Sequence, residues 1–222
     1  GQSSCDTTLQ SLLKLAIIIH IIYKEKKNKL FSHNINMDFN SYIKISNLIF
    51  RPNPVFIFDL DLTVIGHIPK RYLNISNSQF KNLIYKGINY GFIRPYFIEL
   101  IDILINNNIK IIFYTASNKQ WCIPILRAIE HYVGYSFINK VFTDKYCNVP
   151  YKRKLFRSIG IKSIKYIQNQ INKSETKFSI KNSIILDDKI TVEKKESKFL
   201  VKIPPYRWIY NPKVNKIRQP ND

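Results

Sequence analysis

The sequence is poor in cysteine and glycine. Its 222 residues include only three cysteines, Cys5, Cys122 and Cys147. These are too few and too widely spaced for a disulfide framework or a cysteine-based zinc site. We therefore expect reduced thiols and an intracellular protein, in the cytoplasm or the nucleus. Six glycines and ten prolines exclude collagen-like and low-complexity classes.

No apolar run is long enough to predict a membrane span. The longest, Leu9 to Tyr23, has 15 residues and is interrupted by Lys14 and His20, whereas a spanning helix needs about 20. It lacks the basic start and the small-residue cleavage site of a secretory signal. We predict that it forms a helix in an N-terminal helical extension, residues 1–50, and that a membrane is not a partner. An interfacial anchor is the alternative.

Acidic residues are scarce. Fifteen Asp and Glu stand against 35 Lys and Arg, a formal net charge of +20. Such a charge favours an anionic partner, although biased lysine usage on a solvated surface would also produce it. The segment from Pro150 to Lys181 has nine basic residues and one Glu, with aromatic residues interleaved. Two segments are candidates for nucleic-acid contacts: a basic insert, 161–182, and a basic C-terminal tail, 206–222. The lysines expected to contact phosphate in the insert are Lys162, Lys165, Lys173 and Lys177.

Short apolar runs alternate with helical patterns from residue 54 onward. Strands are predicted at 54–58, 109–114, 141–143, 183–186 and 200–203. Helices are predicted from 94 to the asparagines at 106–108, at 118–132 and at 154–159. This alternation predicts an α/β domain, residues 51–205, with a parallel sheet flanked by helices. Residues 64–92 show no clear period and contain three glycines, so we expect loops or a flap there.

Polar residues follow three of the predicted strands. The first strand ends at Asp59 and Asp61, the second at Thr115 and Ser117, and the third at Asp187 and Asp188. The carboxyl ends of parallel strands meet at one edge of the sheet, where ligands bind in such folds. Of two carboxylates at that edge, one can attack as a nucleophile while the other transfers a proton.

These strand ends resemble the motifs of the haloacid-dehalogenase-like (HAD) superfamily of aspartate-dependent phosphatases. FIFDLDLTV resembles the first motif, IIFYTAS the second and IILDDK the fourth. The closest likeness is to the small carboxyl-terminal-domain phosphatases, which share the D-L-D-x-T start, the Arg94-Pro95 pair and the F-x-T-A-S string. Their third motif is a lysine at the start of a helix, and the spacing to Phe156, Ile159 and Gly160 favours Lys154 over Lys152. The likeness covers about 54–203.

The resemblance implies a Rossmannoid HAD-like fold, Mg²⁺ as cofactor and a role for each matched residue. Asp59 would be the nucleophile, and Asp61 the general acid and base. Metal ligands would be Asp59, the backbone carbonyl of Asp61, and Asp188. Asp187 would hold Lys154, which would neutralise phosphate oxygens. The remaining substrate-binding residues would be Thr63, Thr115 and Ser117.

The function implied is Mg²⁺-dependent hydrolysis of phosphomonoesters through an aspartyl-phosphate, with a phosphoserine or phosphothreonine protein as substrate. A nucleic-acid end phosphatase is an alternative within the same motif class. A further alternative is a DNA-associated assembly factor, since large insect DNA viruses encode a HAD-like protein needed for nucleocapsid assembly. Three features depart from the small phosphatases: the Asp187-Asp188 pair in place of Asp-Asn, about 20 extra residues after Gly160, and no matching insertion at 64–92. The sequence leaves the oligomeric state open.

Overall fold

The computed structural model describes residues 44, 47–48, 51–68, 77–147, 160–172 and 179–208. Five strands form one parallel sheet in the order β3-β2-β1-β4-β5. The strands are β1 (Val55–Phe58), β2 (Lys110–Tyr114), β3 (Lys140–Phe142), β4 (Ser183–Asp187) and β5 (Leu200–Lys202). The predicted α/β class and parallel sheet are confirmed.

Four α-helices with both ends in the described ranges accompany the sheet, and residues 44, 47 and 48 are also helical. The four helices are α1 (Asn77–Asn89), α2 (Phe97–Asn106), α3 (Lys119–Val133) and α4 (Ile164–Ile171). Short 3₁₀ helices lie at Asp144–Tyr146, Ile180–Asn182 and Lys194–Phe199. None of the helices in the described ranges is long and apolar enough to cross a membrane. The apolar run at 9–23 and the segment predicted as a helix at 154–159 lie outside those ranges.

The sheet has a core on each face. Phe56 and Phe58 of β1 belong to a cluster that includes the buried residues of α1, α2 and α3, whereas Val55 and Ile57 belong to a second cluster with Ile164 of α4. All four residues of β1 are buried, as expected for a central parallel strand covered on both sides. The chain runs outward from β1 to β2 and β3, then crosses back to β4. The carboxyl ends of β1 and β4 therefore meet at the point where strand order reverses.

Helix α1 corrects the prediction of loops at 64–92. The apolar side chains Phe80, Leu83, Ile84 and Ile88 recur at helical spacing and pack into the core. Gly87 obscured this pattern because glycine usually interrupts helices. Here it allows a close approach, since a Cβ at Gly87 would lie 3.3 Å from the Cβ of Phe92. Residues 69–76 are outside the described ranges.

The first residues of the predicted C-terminal tail pack against the loop after β1. The backbone N–H of Tyr206 donates to Leu62 (2.6 Å), and the N–H of His67 donates to the carbonyl of Trp208 (2.8 Å). The Trp208 indole N–H donates to Tyr90 (2.9 Å). Gly66 permits this contact, because a Cβ there would lie 2.7 Å from the carbonyl oxygen of Trp208. Tyr206 and Trp208 thus pack against the loop that carries Asp61 and Thr63.

Candidate active site

The loop that follows β1 carries the first pair of carboxylates. Asp59 is buried and Asp61 is half-buried. Leu62 has a left-handed backbone conformation (φ 62°), which a residue with a Cβ rarely adopts. The buried Arg94 guanidinium stabilises this turn, because its Nε donates to Thr63 (2.5 Å) and its Nη2 to Leu62 (3.0 Å). The Arg94-Pro95 pair seen in the sequence therefore supports the loop that bears Asp59 and Asp61.

Thr63 links this loop to the end of β4. Its hydroxyl donates to Asp59 Oδ2 (3.1 Å) and accepts a hydrogen bond from the backbone N–H of Asp188 (3.0 Å). The side chain is buried, so neither bond competes with bulk water. Thr63 therefore fixes the position of Asp59 relative to Asp188. The sequence predicted a substrate-binding role for Thr63, which these contacts do not test.

A buried lysine neutralises the centre of the site. Lys162 Nζ lies 2.5 Å from Asp59 Oδ1 and 2.6 Å from Asp187 Oδ2. Burial alone would lower the pKa of this ammonium group, but the two carboxylates raise it above its ordinary value. Lys162 is 1% exposed, so it cannot contact nucleic acid as predicted for the basic insert. This prediction was wrong because a basic segment was treated as a uniformly solvated surface.

The residues around Lys162 hold it in place. Its N–H donates to the carbonyl of Thr191 (2.7 Å), and its own carbonyl accepts from Glu193 (3.1 Å). Ser163 caps helix α4 immediately afterwards, since its hydroxyl accepts from Tyr166 N (3.2 Å). The buried Glu196 carboxylate accepts from the N–H groups of Ile164 (2.6 Å) and Lys165 (3.0 Å). Lys162 is therefore fixed between a backbone bridge and a doubly capped helix.

Lys154 and Lys152, the lysines predicted to bind Asp187, lie outside the described residues. Within the described residues, the lysine whose ammonium group contacts the Asp187 carboxylate is Lys162. The sequence held a signal for it: Lys162 directly precedes a capping serine and the apolar spacing of Ile164, Ile167 and Ile171. This matches a lysine at the start of a helix, but the spacing to Gly160 directed attention to the preceding segment.

The second motif surrounds Asp61. Its Oδ2 accepts from the hydroxyls of Ser117 (2.6 Å) and Thr115 (3.4 Å), and its Oδ1 accepts from Trp121 Nε1 (2.8 Å). Asn118 caps α3 by accepting from Trp121 N (2.9 Å), which places the indole on the first turn of that helix. The sequence predicted the convergence of the polar strand ends, and the structure brings them together. Trp121 was missed because aromatic residues on a helix usually belong to the core.

The end of β4 supplies the second acidic pair. Asp187 is fully engaged, because Oδ1 accepts from Lys189 N (2.8 Å) and Oδ2 accepts from Lys162 and Thr191. Asp188 differs: its Oδ1 is buried and has no hydrogen-bond partner among the described residues. Burial raises the pKa of Asp188, and nearby Asp187 raises it further, while Lys189 and Lys162 oppose this change. A buried carboxylate oxygen without a partner is costly unless a cation or a donor satisfies it.

These carboxylates fit a divalent cation. Asp59, Asp187 and Asp188 each offer an oxygen, and the three oxygens lie within 4.8 Å of one another. Hard cations such as Mg²⁺ prefer such oxygen ligands. Both oxygens of Asp187 and both oxygens of Asp59 already have partners. Asp188 is therefore the best candidate for a direct ligand, because its Oδ1 has no hydrogen-bond partner among the described residues. Burial raises the pKa of Asp59, and Lys162 opposes the effect, so a cation near Asp59 would favour its ionised form.

A parallel α/β sheet with two acidic pairs and a lysine at the point where the strand order reverses defines a HAD-like class of protein. The family model of NLI interacting factor-like phosphatases matches residues 54–219. The chain therefore belongs to this family of HAD-like phosphatases, which confirms the predicted resemblance to small carboxyl-terminal-domain phosphatases. A comparison with curated proteins finds no match. The findings do not support the viral nucleocapsid alternative.

Proposed function

We propose that the protein is a Mg²⁺-dependent phosphomonoester hydrolase with Asp59 as nucleophile. The observation that carries this proposal is the contact of Asp59 with the buried Lys162. Next to this pair lies Asp188 Oδ1, which has no hydrogen-bond partner among the described residues. Asp59, Asp188 and the carbonyl of Asp61 would hold the metal. When bound, Mg²⁺ would neutralise negative charge on the phosphate and on the carboxylates. Lys162, rather than Lys154, takes the role of the third-motif lysine in this proposal.

The proposed reaction has two steps. In the first, a carboxylate oxygen of Asp59 attacks phosphorus, the bond to the leaving oxygen breaks, and Asp61 gives that oxygen its proton. In the second, Asp61 takes a proton from water, the water oxygen attacks phosphorus, and the Asp59–phosphorus bond breaks to release inorganic phosphate. Both steps spread negative charge over phosphate oxygens, which Lys162 and the hydroxyl of Thr115 would stabilise.

Three donors hold Asp61 in a defined orientation in this proposal. Ser117, Thr115 and Trp121 together engage both of its oxygens, so its side chain is fixed before substrate arrives. Preorganisation of this kind lowers the cost of reaching the reactive geometry. Thr63 and Ser117, predicted as substrate-binding residues, would then act mainly through Asp59 and Asp61. In this proposal the protein acts inside the cell, in the cytoplasm or the nucleus.

The test of catalysis is Asp59→Asn, which preserves the shape of the side chain and removes the nucleophile. We expect phosphate release to fall below detection with Mg²⁺ present, while the thermal unfolding midpoint changes little. A parallel assay with Mg²⁺ removed by a chelator should also show no activity in the unaltered protein. Activity of Asp59→Asn within a few-fold of the unaltered protein would contradict the aspartyl-phosphate route.

The substrate class is tested by comparing phosphate release from a phosphoserine peptide with release from a 3′-phosphorylated oligonucleotide. We propose the phosphoprotein, since the family consists of phosphatases that resemble the carboxyl-terminal-domain type. The net charge of +20 favours the oligonucleotide as the competing candidate. A higher kcat/KM for the oligonucleotide would replace the proposed substrate and leave the proposed chemistry intact.

A further inference from the structure

A basic cavity lies at the edge of the sheet opposite the candidate active site. It has a volume of about 340 Å³ and is lined in part by Ser183, the first residue of β4. Asp187 ends the same strand. A strand rises about 3.3 Å per residue, so roughly 13 Å of strand separates the two ends. The cavity is therefore a separate place on the molecule and not an extension of the acidic site.

Among the described residues, four cationic side chains line this cavity and no acidic side chain does. They are Lys44, Arg51, Lys181 and Lys198. Four of nine lining residues are thus Lys or Arg, compared with 35 of 222 in the whole chain. None of the four pairs with a carboxylate of the described residues. Collecting like charges in one concavity is unfavourable unless an anion offsets their repulsion.

Uncharged groups hold three of these cations in position. Arg51 Nη1 donates to the carbonyl of Lys181, and Lys44 Nζ donates to the carbonyl of Leu200 at 3.4 Å. Lys198 Nζ lies 5.1 Å from the ring centroid of Phe199. These contacts orient the side chains toward uncharged groups and leave their charge uncompensated. A cavity with preset cations loses less side-chain entropy when an anion binds.

We propose that this cavity binds a compact soluble anion with two or more phosphate groups. Several cations around one small space match several negative charges close together, and guanidinium and ammonium groups are the usual phosphate ligands. The volume is near the lower end of the range for small-molecule sites. Leu48, Ile184 and Phe199 provide an apolar part of the lining, which would accept a ring attached to the phosphates. The proposal does not depend on the hydrolytic reaction.

The experiment is isothermal titration calorimetry of the full chain with inorganic tripolyphosphate in metal-free buffer. The test variant is Lys181→Gln combined with Lys198→Gln, since both side chains are exposed. Its matched control is Lys86→Gln combined with Lys140→Gln, two exposed lysines outside the cavity. We expect the Kd to rise at least tenfold in the test variant and to stay within twofold in the control. Arg51→Gln should raise it independently.

Two further titrations locate the binding. Lys162→Gln removes the cation of the acidic site and should leave the Kd for tripolyphosphate within twofold. Duplex DNA should not displace the anion, because a concave site of this size cannot follow a duplex backbone. Equal losses in the test and control variants would overturn the proposal in favour of general charge attraction. A loss confined to Lys162→Gln would move the anion to the acidic site, and displacement by DNA would make the cavity part of a nucleic-acid surface.

Discussion

Lys162 Nζ lies 2.5 Å from Asp59 Oδ1, although the two residues are 103 positions apart in the chain. Neither side chain would be stable alone in this place, because Asp59 is buried and Lys162 is 1% exposed. The pair is a result of the topology. Strand β1 places Asp59 at the point where the strand order reverses, and the backbone hydrogen bonds of Lys162 to Thr191 and Glu193 place the lysine beside it. A positive charge that the proposed phosphate chemistry would use thus lies in the core of the fold.

Lys162→Gln is expected to lower kcat for nitrophenyl phosphate by about 10²–10³, the usual effect of removing one preorganised charge-stabilising group. The control is Lys165→Gln, which makes the same change in net charge at an exposed position three residues later. Steady-state kinetics of both variants with saturating Mg²⁺ will check this. A Lys162→Gln enzyme that turned over within a few-fold of the control would remove Lys162 from the catalytic group.

Trp121→Phe tests whether the indole N–H positions Asp61. Phenylalanine preserves the aromatic contact with Phe80, whose ring centroid lies 5.5 Å away, and removes only the 2.8 Å hydrogen bond. Hydrogen bonds to charged groups contribute about 1.5–3 kcal/mol, or roughly 10–100-fold in rate. We expect this loss with an alkyl phosphate, which needs a proton donor, and a much smaller loss with nitrophenyl phosphate, whose leaving group needs little help.

Phe80→Leu is the matched control for Trp121, since it weakens the aromatic contact and keeps the indole donor. We expect Phe80→Leu to change the turnover of the alkyl phosphate and of nitrophenyl phosphate by the same factor. If Trp121→Phe also slowed both substrates by the same factor, the tryptophan would have a packing role only, because a displaced general acid affects poor leaving groups first.

Much of the fold was predictable from local pattern, and the site was predictable where its residues end strands. The apolar runs at 54–58 and 183–186 predict buried parallel strands, so the positions of Asp59 and Asp187 at the strand ends follow directly from them. Lys162 and Trp121 do not end strands. Their positions depend on which helix packs on which face of the sheet, and that is set by long-range contacts. Helix α1 was missed for a different reason. Glycine usually interrupts a helix, but Gly87 lies within this helix because its missing side chain lets Phe92 pack closely.

Thr63→Val is expected to lower the free energy of unfolding by about 1–3 kcal/mol, the cost of leaving a buried partner unsatisfied. The hydroxyl serves both Asp59 Oδ2 and the N–H of Asp188, and valine has the same shape without it. Thr63→Ser keeps the hydroxyl and should recover most of the loss. Urea unfolding of the three proteins at one pH gives the comparison. Equal stability of the valine and serine variants would show that the hydrogen bonds of the Thr63 hydroxyl do not stabilise the fold.

Glu196→Ala tests whether the cap at the start of α4 helps to hold Lys162 in place. The carboxylate accepts the N–H groups of Ile164 and Lys165 at the start of α4, so its removal leaves two buried or half-buried donors unpaired. We expect a loss of about 2–3 kcal/mol in unfolding free energy, because hydrogen bonds to charged groups contribute more than neutral ones. We also expect a lower kcat, since the displaced helix would shift Lys162.

The control is Glu99→Ala, an exposed glutamate in the first turn of α2, where a loss below about 1 kcal/mol is typical. If Glu196→Ala lost stability but kept full kcat once folded at low temperature, the cap would serve the fold alone, and the bridge to residues 191–193 would be sufficient to hold the lysine against Asp59.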